Sequence, residues 1–283
     1  MAERIAGLRG RLPVKDPVDR FPLRWAHEYL ATPLPAPVYP IDVTGGITDF
    51  GMLGNNTAGD CGEAGIRHYE MTTAVAAGQP VPSFTTAEAL AEYFAFTGGP
   101  DTGVNLADFL LWLFNKGRIK AFAPVDHSNV AQADAFMAEF HGLYAGASLT
   151  DDANARFNAG QEWTTANGET ADPAEGHCIE KGGAEGPTGK DIWITWGAKQ
   201  FSTVGWSAAC IEELWVVATT EEQAAKFSPA LIAEIQALGG TVPALPIPTP
   251  APIPLPPLPP LPPLPPRNRF CKWAYSLVHS NSA

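Results

Sequence analysis

Apolar residues recur along the chain with two different spacings, and each spacing predicts a different kind of element. Five segments are apolar at every third or fourth position, which predicts helices at residues 62–77, 86–97, 104–117, 130–141 and 222–237. Short runs rich in Ile, Val and Trp predict strands at residues 177–181, 191–196 and 211–218. Because the helices come first and the strands come late, the order favours an α+β fold over alternating βαβ units.

A proline-rich tract ends this mixed pattern. Between residues 243 and 266, 14 of the 24 residues are proline. Proline removes the backbone donors that a helix or a sheet needs, so the tract predicts polyproline II. Seventeen further residues follow, with Phe270, Trp273 and Leu277 at helical spacing. We therefore divide the chain into a basic N-terminal arm (1–24), a globular domain (25–242), a polyproline rod (243–266) and a C-terminal docking peptide (267–283).

Composition excludes several classes of protein. The chain of 283 residues has 18 Lys+Arg and 30 Asp+Glu, a net charge of −12. An acidic body lacks the basic surface that binds nucleic acid, and no apolar run approaches the ~18 residues of a membrane-spanning helix. The four cysteines at positions 61, 178, 210 and 271 form no Cys-x-x-Cys pair, so we expect neither a structural zinc nor a disulfide scaffold, and no other cofactor.

The N-terminal arm is basic and interrupted by prolines. No apolar stretch follows its basic residues, so it does not resemble a secretory signal. Two interpretations remain open for residues 1–24. They form either an arm that lies over another surface or a solvated terminus.

A glycine-bearing loop delivers a cysteine to the start of the first predicted helix. The loop reads Gly-Asn-Asn-Thr-Ala-Gly-Asp-Cys over residues 54–61. The unpaired N–H groups and the positive end of the helix dipole favour a thiolate at such a position, whereas the carboxylate of Asp60 opposes it. Cys61 is therefore either a nucleophile or a buried apolar residue.

A histidine begins the strand-like run that follows Glu175. The segment Gly176-His177-Cys178 leads through a glycine-rich stretch to Asp-Ile-Trp-Ile-Thr-Trp-Gly at 191–197, which predicts a hairpin. A histidine in this setting can serve as general base to a cysteine far away in the sequence. The alternative is an ordinary histidine of the core or the surface.

The loop and the hairpin together resemble the papain-like cysteine peptidases. In that superfamily a cysteine opens a long helix, an amide side chain six residues earlier supplies an oxyanion donor, and a Gly-His pair precedes an Asn-Ser-Trp-Gly motif. The resemblance implies Cys61 as nucleophile, His177 as base and Asn55 as oxyanion donor. Ile194 stands where the family has its orienting Asn. Thr195 is the nearest polar candidate for that role, although strand alternation points it to the face opposite residue 194.

The sequence more closely resembles a group of papain-like proteins of actinobacteriophages and some bacteria. They share the Gly-Asn-x-x-x-Gly-Asp-Cys loop and the Gly-His…Thr-Trp-Gly hairpin, and the similarity extends over about residues 3–220 of this chain. Many members of that group are identified as virion-associated proteins. The resemblance implies a protein of the phage head or tail, made in the host cytoplasm without a signal peptide.

Two functions remain open from the sequence. In the first, the chain is a structural or attachment protein of the virion, built on a papain-like hydrolase fold. Its docking peptide, rod and basic arm would bind other virion proteins, with Phe270, Trp273 and Leu277 as the contacts. In the second, it is an active cysteine protease or amidase that uses Cys61 and His177 on host envelope or protein substrates. The rod favours the first function, since an enzyme alone needs no anchor, but fold does not decide between them.

Overall fold

A computed structural model describes residues 4–13 and 23–241 of the chain. The polyproline rod and the docking peptide lie outside these residues, as do Phe270, Trp273 and Leu277. The predictions made for them, and the four-part division of the chain, remain predictions.

The helices of the described residues mostly begin where a polar side chain caps the first turn. Thr85, Asn105, Asn129, Thr203 and Thr220 each accept a hydrogen bond from a backbone N–H three residues further on. A short 3₁₀ helix (Ala26–Tyr29) precedes the α-helices. These are α1 (Cys61–Ala76), α2 (Thr86–Thr97), α3 (Leu106–Asn115), α4 (Val130–Phe140), α5 (Ala153–Asn158), α6 (Val204–Cys210), α7 (Glu221–Ala224) and α8 (Pro229–Thr241).

Four of the five predicted helices are confirmed to within two residues at each end, as α1 to α4. The fifth, predicted as one helix over 222–237, is wrong as a single element. It is divided into α7 and α8 because Pro229 has no N–H with which to continue the first helix. The residues between the two helices contact the end of the 3₁₀ helix: the Ser228 N–H donates to the Tyr29 carbonyl, and Leu30 pairs with Phe227.

One antiparallel sheet forms the centre of the described domain. Its strands are β1 (Ile41–Asp42), β2 (Ala121–Val125), β3 (Leu143–Thr150), β4 (Ala171–Ala184), β5 (Asp191–Thr195), β6 (Ala198–Ser202) and β7 (Ile211–Ala218). They run in the order β2-β7-β3-β4-β5-β6, and β1 pairs with β4. The predicted strands at 177–181, 191–196 and 211–218 are confirmed, within or overlapping β4, β5 and β7.

The sequence pattern does not predict strands β2 and β3, and the physical reason differs between them. All eight residues of β3 are buried, so this strand lacks the alternation of apolar and polar residues that marks a half-exposed strand. Strand β2 contains Pro124, which is rare inside sheets. It lies at the edge of the sheet, next to β7, where a missing N–H is tolerated.

Helices cover the sheet and complete an α+β fold. Helices α1 and α4 pack on β4, and α6 packs on β3. Four tryptophans in or next to the sheet and its covering helix are buried: Trp193, Trp196, Trp206 and Trp215. Trp206 also stacks on Trp163, with ring centroids 4.6 Å apart.

Two glycines let the start of α1 lie unusually close to the sheet. A Cβ at Gly62 would come within 2.5 Å of Val104 Cγ2, and a Cβ at Gly65 within 3.0 Å of the Cys178 sulfur. The Tyr144 hydroxyl donates to the Gly62 carbonyl at 2.9 Å and fixes this first turn. The close approach sets Cys61, at the start of α1, against β4.

Candidate active site

The loop before Cys61 is held in shape by its own backbone and by Asp101. Gly54 has a φ of 107°, and a Cβ there would lie 2.7 Å from Leu90 Cδ2, so only glycine fits. The N–H groups of Thr57 and Ala58 donate to the Gly54 carbonyl at 2.8 and 3.1 Å. The Gly59 N–H donates to Asp101 Oδ1 at 3.0 Å. This loop therefore presents Cys61 at a defined position.

Cys61 is the first residue of α1, and its side chain is enclosed. The residue is 1% exposed, and its sulfur accepts a hydrogen bond from the Cys178 N–H at 3.3 Å. Burial raises the pKa of Cys61 to about 11, and hydrogen bonds from the backbone of Cys178 and Gly10 offset part of that rise. In this arrangement the residue is a thiol rather than a thiolate.

His177 lies one residue before the N–H that contacts the Cys61 sulfur. Its ring is buried and stacks on Trp196, with centroids 4.6 Å apart and planes at 28°. Burial, followed by the charges of Arg9 and Arg11, lowers the pKa of His177 to about 3, so the imidazole is neutral. Within the described residues, Nδ1 of the ring has no hydrogen-bond partner.

Thr195 takes the position next to the histidine, and Ile194 does not. The Thr195 hydroxyl lies 2.8 Å from His177 Nε2. Ile194 points to the other side of the sheet and packs with Ile47, Phe50 and Met71. Of these two residues only Thr195 contacts His177, as the alternation of side chains along β5 requires, and its role in orienting the ring remains a prediction.

Asn55 lies inside the loop, close to the start of α1. It is 2% exposed, and its side-chain Nδ2 donates to the Ala58 carbonyl at 3.2 Å. Its backbone carbonyl accepts a hydrogen bond from the N–H of Leu8. The structure thus gives Asn55 a role in shaping the loop, and its role as an oxyanion donor remains a prediction.

Asp60, immediately before the cysteine, is fully buried. Burial raises the pKa of its carboxyl group to about 7. A carboxyl group with such a pKa is largely protonated in mildly acidic solution. Its opposition to a thiolate at Cys61 is therefore weaker than the sequence alone indicates.

The described part of the N-terminal arm, residues 4–13, lies across the cleft at Cys61. The Val104 N–H donates to the Gly10 carbonyl at 2.7 Å, and the Leu12 N–H donates to the Val104 carbonyl at 2.8 Å. A Cβ at Gly10 would lie 1.7 Å from the Gly59 carbonyl oxygen, so this position of the arm admits glycine alone. Residues 4–13 therefore lie over a surface of their own domain, and the interpretation of the arm as a whole remains a prediction.

Basic side chains anchor the arm on both sides of Gly10. The Arg4 guanidinium lies 4.5 Å from the centre of the Phe157 ring. Arg9 pairs with Glu175 and donates to Asn154 Oδ1 at 3.0 Å. By contrast, Ile5, Leu8 and Leu12 are exposed apolar residues of the arm. Backbone pairing and arginines therefore hold the arm more than apolar packing does.

Comparison with known proteins identifies the fold. The chain is similar to xylellain, a cysteine protease from Xylella fastidiosa, with a TM-score of 0.55 over 78% of this chain and 99% of that one, at 12% identity. It is also similar to digestive procathepsin L 3 of the Tenebrio molitor larval midgut, with a TM-score of 0.46 over 75% and 76% of the two chains, at 10% identity. No protein-family model and no curated protein matches the sequence.

At 12% identity, the match to xylellain shows the fold alone. The described domain has the fold of this cysteine protease, which agrees with the predicted papain-like α+β fold. The finer resemblance to actinobacteriophage proteins remains a prediction. Across residues 4–13 and 23–241, no group of three or more His, Cys, Asp or Glu side chains could hold a metal ion. The same residues include no helix that is both long and apolar enough to cross a bilayer.

Proposed function

We propose that the domain is a cysteine hydrolase that cuts peptide or amide bonds. The observation that carries the proposal is the local arrangement of three side chains. Cys61 opens a helix against the strand that bears His177, and the Thr195 hydroxyl holds His177 Nε2 at 2.8 Å. A thiol, an imidazole and a group that orients the imidazole form the usual set for nucleophilic catalysis by cysteine.

The chemistry follows from the two nitrogens of the His177 ring. When Nε2–H donates to Thr195, Nδ1 carries the lone pair and has no hydrogen-bond partner among the described residues, so it would accept the proton of the Cys61 thiol once the two groups come within hydrogen-bond distance. The thiolate then attacks a carbonyl carbon, and the backbone N–H of Cys61 with the Asn55 amide would stabilise the oxyanion. The imidazolium gives its proton to the leaving amine, and a thioester remains. Water hydrolyses that thioester, with His177 as base, and restores the thiol.

The arm in the cleft is held and not cut. The backbone N–H of Gly10 is close enough to the Cys61 sulfur to lower the pKa of the thiol, so the arm turns an N–H towards the sulfur. Attack requires the sulfur to approach the face of a carbonyl carbon instead. The Gly10 carbonyl is also bonded to the Val104 N–H at 2.7 Å. Another polypeptide can therefore reach Cys61 only after residues 4–13 leave the cleft.

A single substitution in the arm provides a test in the full-length chain. Gly10→Val places side-chain atoms against the Gly59 carbonyl, which displaces the arm without altering the domain. Leu8→Val is the matched control, since Leu8 is 46% exposed. We expect the Gly10→Val protein to release amine from a library of fluorogenic peptide amides at least tenfold faster than the Leu8→Val protein.

The same assay with Gly10→Val/Cys61→Ala decides whether the release is catalysed at this site. Loss of amine release in the double variant supports the proposal. A rate of amine release that does not depend on Cys61, or no release by any of the proteins, would contradict the proposed hydrolase activity.

A second proposal is a structural or attachment role in a virion, and the C-terminal sequence favours it. The proline tract and the positively charged peptide after it resemble a spacer and an anchor. We expect deletion of residues 243–283 to remove the protein from assembled particles, as measured by mass spectrometry of purified virions. Incorporation of the truncated protein at its normal copy number would contradict this role for the tail.

A further inference from the structure

A pocket in the cleft, formed by buried Glu213, partly exposed Glu212 and Ser148, encloses the side chain of Arg11. The guanidinium donates to Glu213 Oε1 at 3.1 Å and to Glu212 Oε2 at 2.5 Å, and it lies 3.4 Å from the Ser148 hydroxyl. None of the Arg11 side chain is exposed, and Glu213 is also buried. The pocket is therefore a built site for a guanidinium group, with charged partners on two sides.

The walls of the pocket are shaped for this occupant. A Cβ at Gly146 would lie 2.8 Å from Arg11 Cδ and 2.6 Å from Glu213 Cγ, so the glycine leaves room for both side chains. Glu213 Oε2 accepts a hydrogen bond from Trp215 Nε1 at 2.8 Å, which fixes the carboxylate. Without a cation, Glu213 would be a buried charge with no ionic partner, which is costly in a protein interior.

The pocket belongs to the same cleft as Cys61. The Arg11 N–H donates to the Gly176 carbonyl at 3.2 Å, and Gly176 directly precedes His177. The neighbouring residue of the arm, Gly10, contacts the Cys61 sulfur. The backbone of the arm is bound through Val104 by main-chain hydrogen bonds, which any extended peptide can make. The side-chain selectivity of this part of the cleft therefore comes from the pocket around Arg11.

We propose that this pocket is the specificity pocket of the cleft and selects polypeptide ligands that carry an arginine, with Arg11 as the internal occupant. The inference that the pocket selects substrates rests on the proposed function. Binding itself requires no chemistry at Cys61. The two proposals can therefore fail separately.

The test opens the pocket and blocks turnover in one full-length protein, Arg11→Ala/Cys61→Ala. Isothermal titration compares two peptides, acetyl-Leu-Arg-Gly-amide and acetyl-Leu-citrulline-Gly-amide. Citrulline has nearly the same shape as arginine and no charge, so the pair isolates the ionic contribution. We expect the arginine peptide to bind at least tenfold more tightly. Adding Glu213→Gln should bring the two affinities to within about twofold of each other, since a neutral amide cannot pair with the cation.

A second measurement applies if Arg11→Ala lowers the stability too far for titration. The Gly10→Val protein keeps every residue of the pocket, and Cys61 alkylation by iodoacetamide reports occupation of the cleft. We expect the arginine peptide to slow alkylation at least fivefold at a concentration where the citrulline peptide has no effect. Equal effects of both peptides, or no effect of either in both measurements, would overturn the proposal and leave Arg11 as a structural ion pair. Arginine-selective binding without amide hydrolysis would support the specificity pocket and contradict the proposed hydrolase activity.

Discussion

At the residue scale, Thr195 is the polar side chain of β5 that contacts the imidazole of His177. Its hydroxyl reaches His177 Nε2 at 2.8 Å from the β5 end, next to Trp196, whose ring stacks on the same imidazole. Trp196 has a φ of 45°, an uncommon value for a residue with a large side chain. The turn at the end of β5 thus brings both residues to one imidazole, although they are adjacent in sequence.

The first prediction concerns the orienting role of Thr195. In the Gly10→Val background, Thr195→Val should slow Cys61 alkylation and any amide hydrolysis by roughly tenfold to a hundredfold, because His177 Nε2 loses its partner and the ring its orientation. Thr195→Ser keeps the hydroxyl and should retain most of the rate. The pH profile of alkylation separates orientation from simple structural damage: the Val variant should shift its midpoint, and the Ser variant should not. Identical profiles and rates for all three proteins would argue against the role.

The second prediction uses the buried carboxyl group of Asp60. Its pKa is raised from 3.8 to about 7 in the folded protein, so the fold binds this proton more tightly than the unfolded chain does. Stability from this group is complete below about pH 4 and is lost as the pH rises to 7. Asp60→Asn removes that loss and should make the free energy of unfolding less dependent on pH between 5 and 8, by on the order of 2 kcal/mol.

Urea unfolding at several pH values measures this effect. Glu63, whose pKa is also raised to about 7 by burial, is retained in both proteins, so the difference between them reports Asp60. An unchanged pH dependence in the Asn variant would show that Asp60 is ionised in the folded protein.

At the residue scale, the loop and the Gly-His pair select Cys61 and His177 as candidates from local pattern alone, and their catalytic roles remain predictions. Their surroundings cannot be predicted in the same way. The contact between Thr195 and His177 depends on how β4 and β5 pair, which a motif alignment does not contain. The pocket around Arg11 depends on residues up to 202 positions apart in the chain, and no local pattern marks it.

Among the elements, α1 shows that close packing can outweigh helix propensity. Alanine is normally about 1 kcal/mol better than glycine inside a helix. At Gly62, however, a Cβ would lie 2.5 Å from the branched side chain of Val104, which has little freedom to move. Overpacking of this kind typically costs about 1–3 kcal/mol.

The third prediction follows from that contact. Gly62→Ala should lower the melting temperature, because the steric conflict exceeds the gain in propensity. Gly205→Ala in α6 is the matched control: its nearest neighbour would be 3.6 Å from the new Cβ, so the propensity gain should remain. Thermal unfolding followed by circular dichroism compares the two. Equal stability of the two variants would mean that α1 can move away from Val104 at no cost.

Helices were easier to predict than strands in this chain for a definite reason. The long amphipathic helices have one apolar face, and their caps are local polar residues. Strand β3 lies at the centre of the sheet between β7 and β4 and is buried along its whole length. Its identity as a strand is fixed by partners distant in sequence, so its composition gives no alternating signal.

At the scale of the whole molecule, the cleft and the N-terminal arm form one system. The arm lies over Cys61, and its arginines contact carboxylates and an aromatic ring. Burial of the site disfavours both the thiolate of Cys61 and the charged imidazolium of His177. Displacing the arm should hydrate the site. The pKa of Cys61 should then fall, and the pKa of His177 should rise as the Arg9 and Arg11 charges move away.

The central claim is that Cys61 is a nucleophile paired with His177 and covered by the arm. The most direct measurement is the rate of iodoacetamide labelling at neutral pH, mapped by mass spectrometry, with Cys178 and Cys210 as buried internal references. In the Gly10→Val protein, Cys61 should label at least tenfold faster than in the unmodified protein and far faster than either reference. Gly10→Val/His177→Ala should lose most of that increase. If Cys61 labels no faster than Cys178 and Cys210 once the arm is displaced, the account is contradicted and Cys61 is a buried structural cysteine.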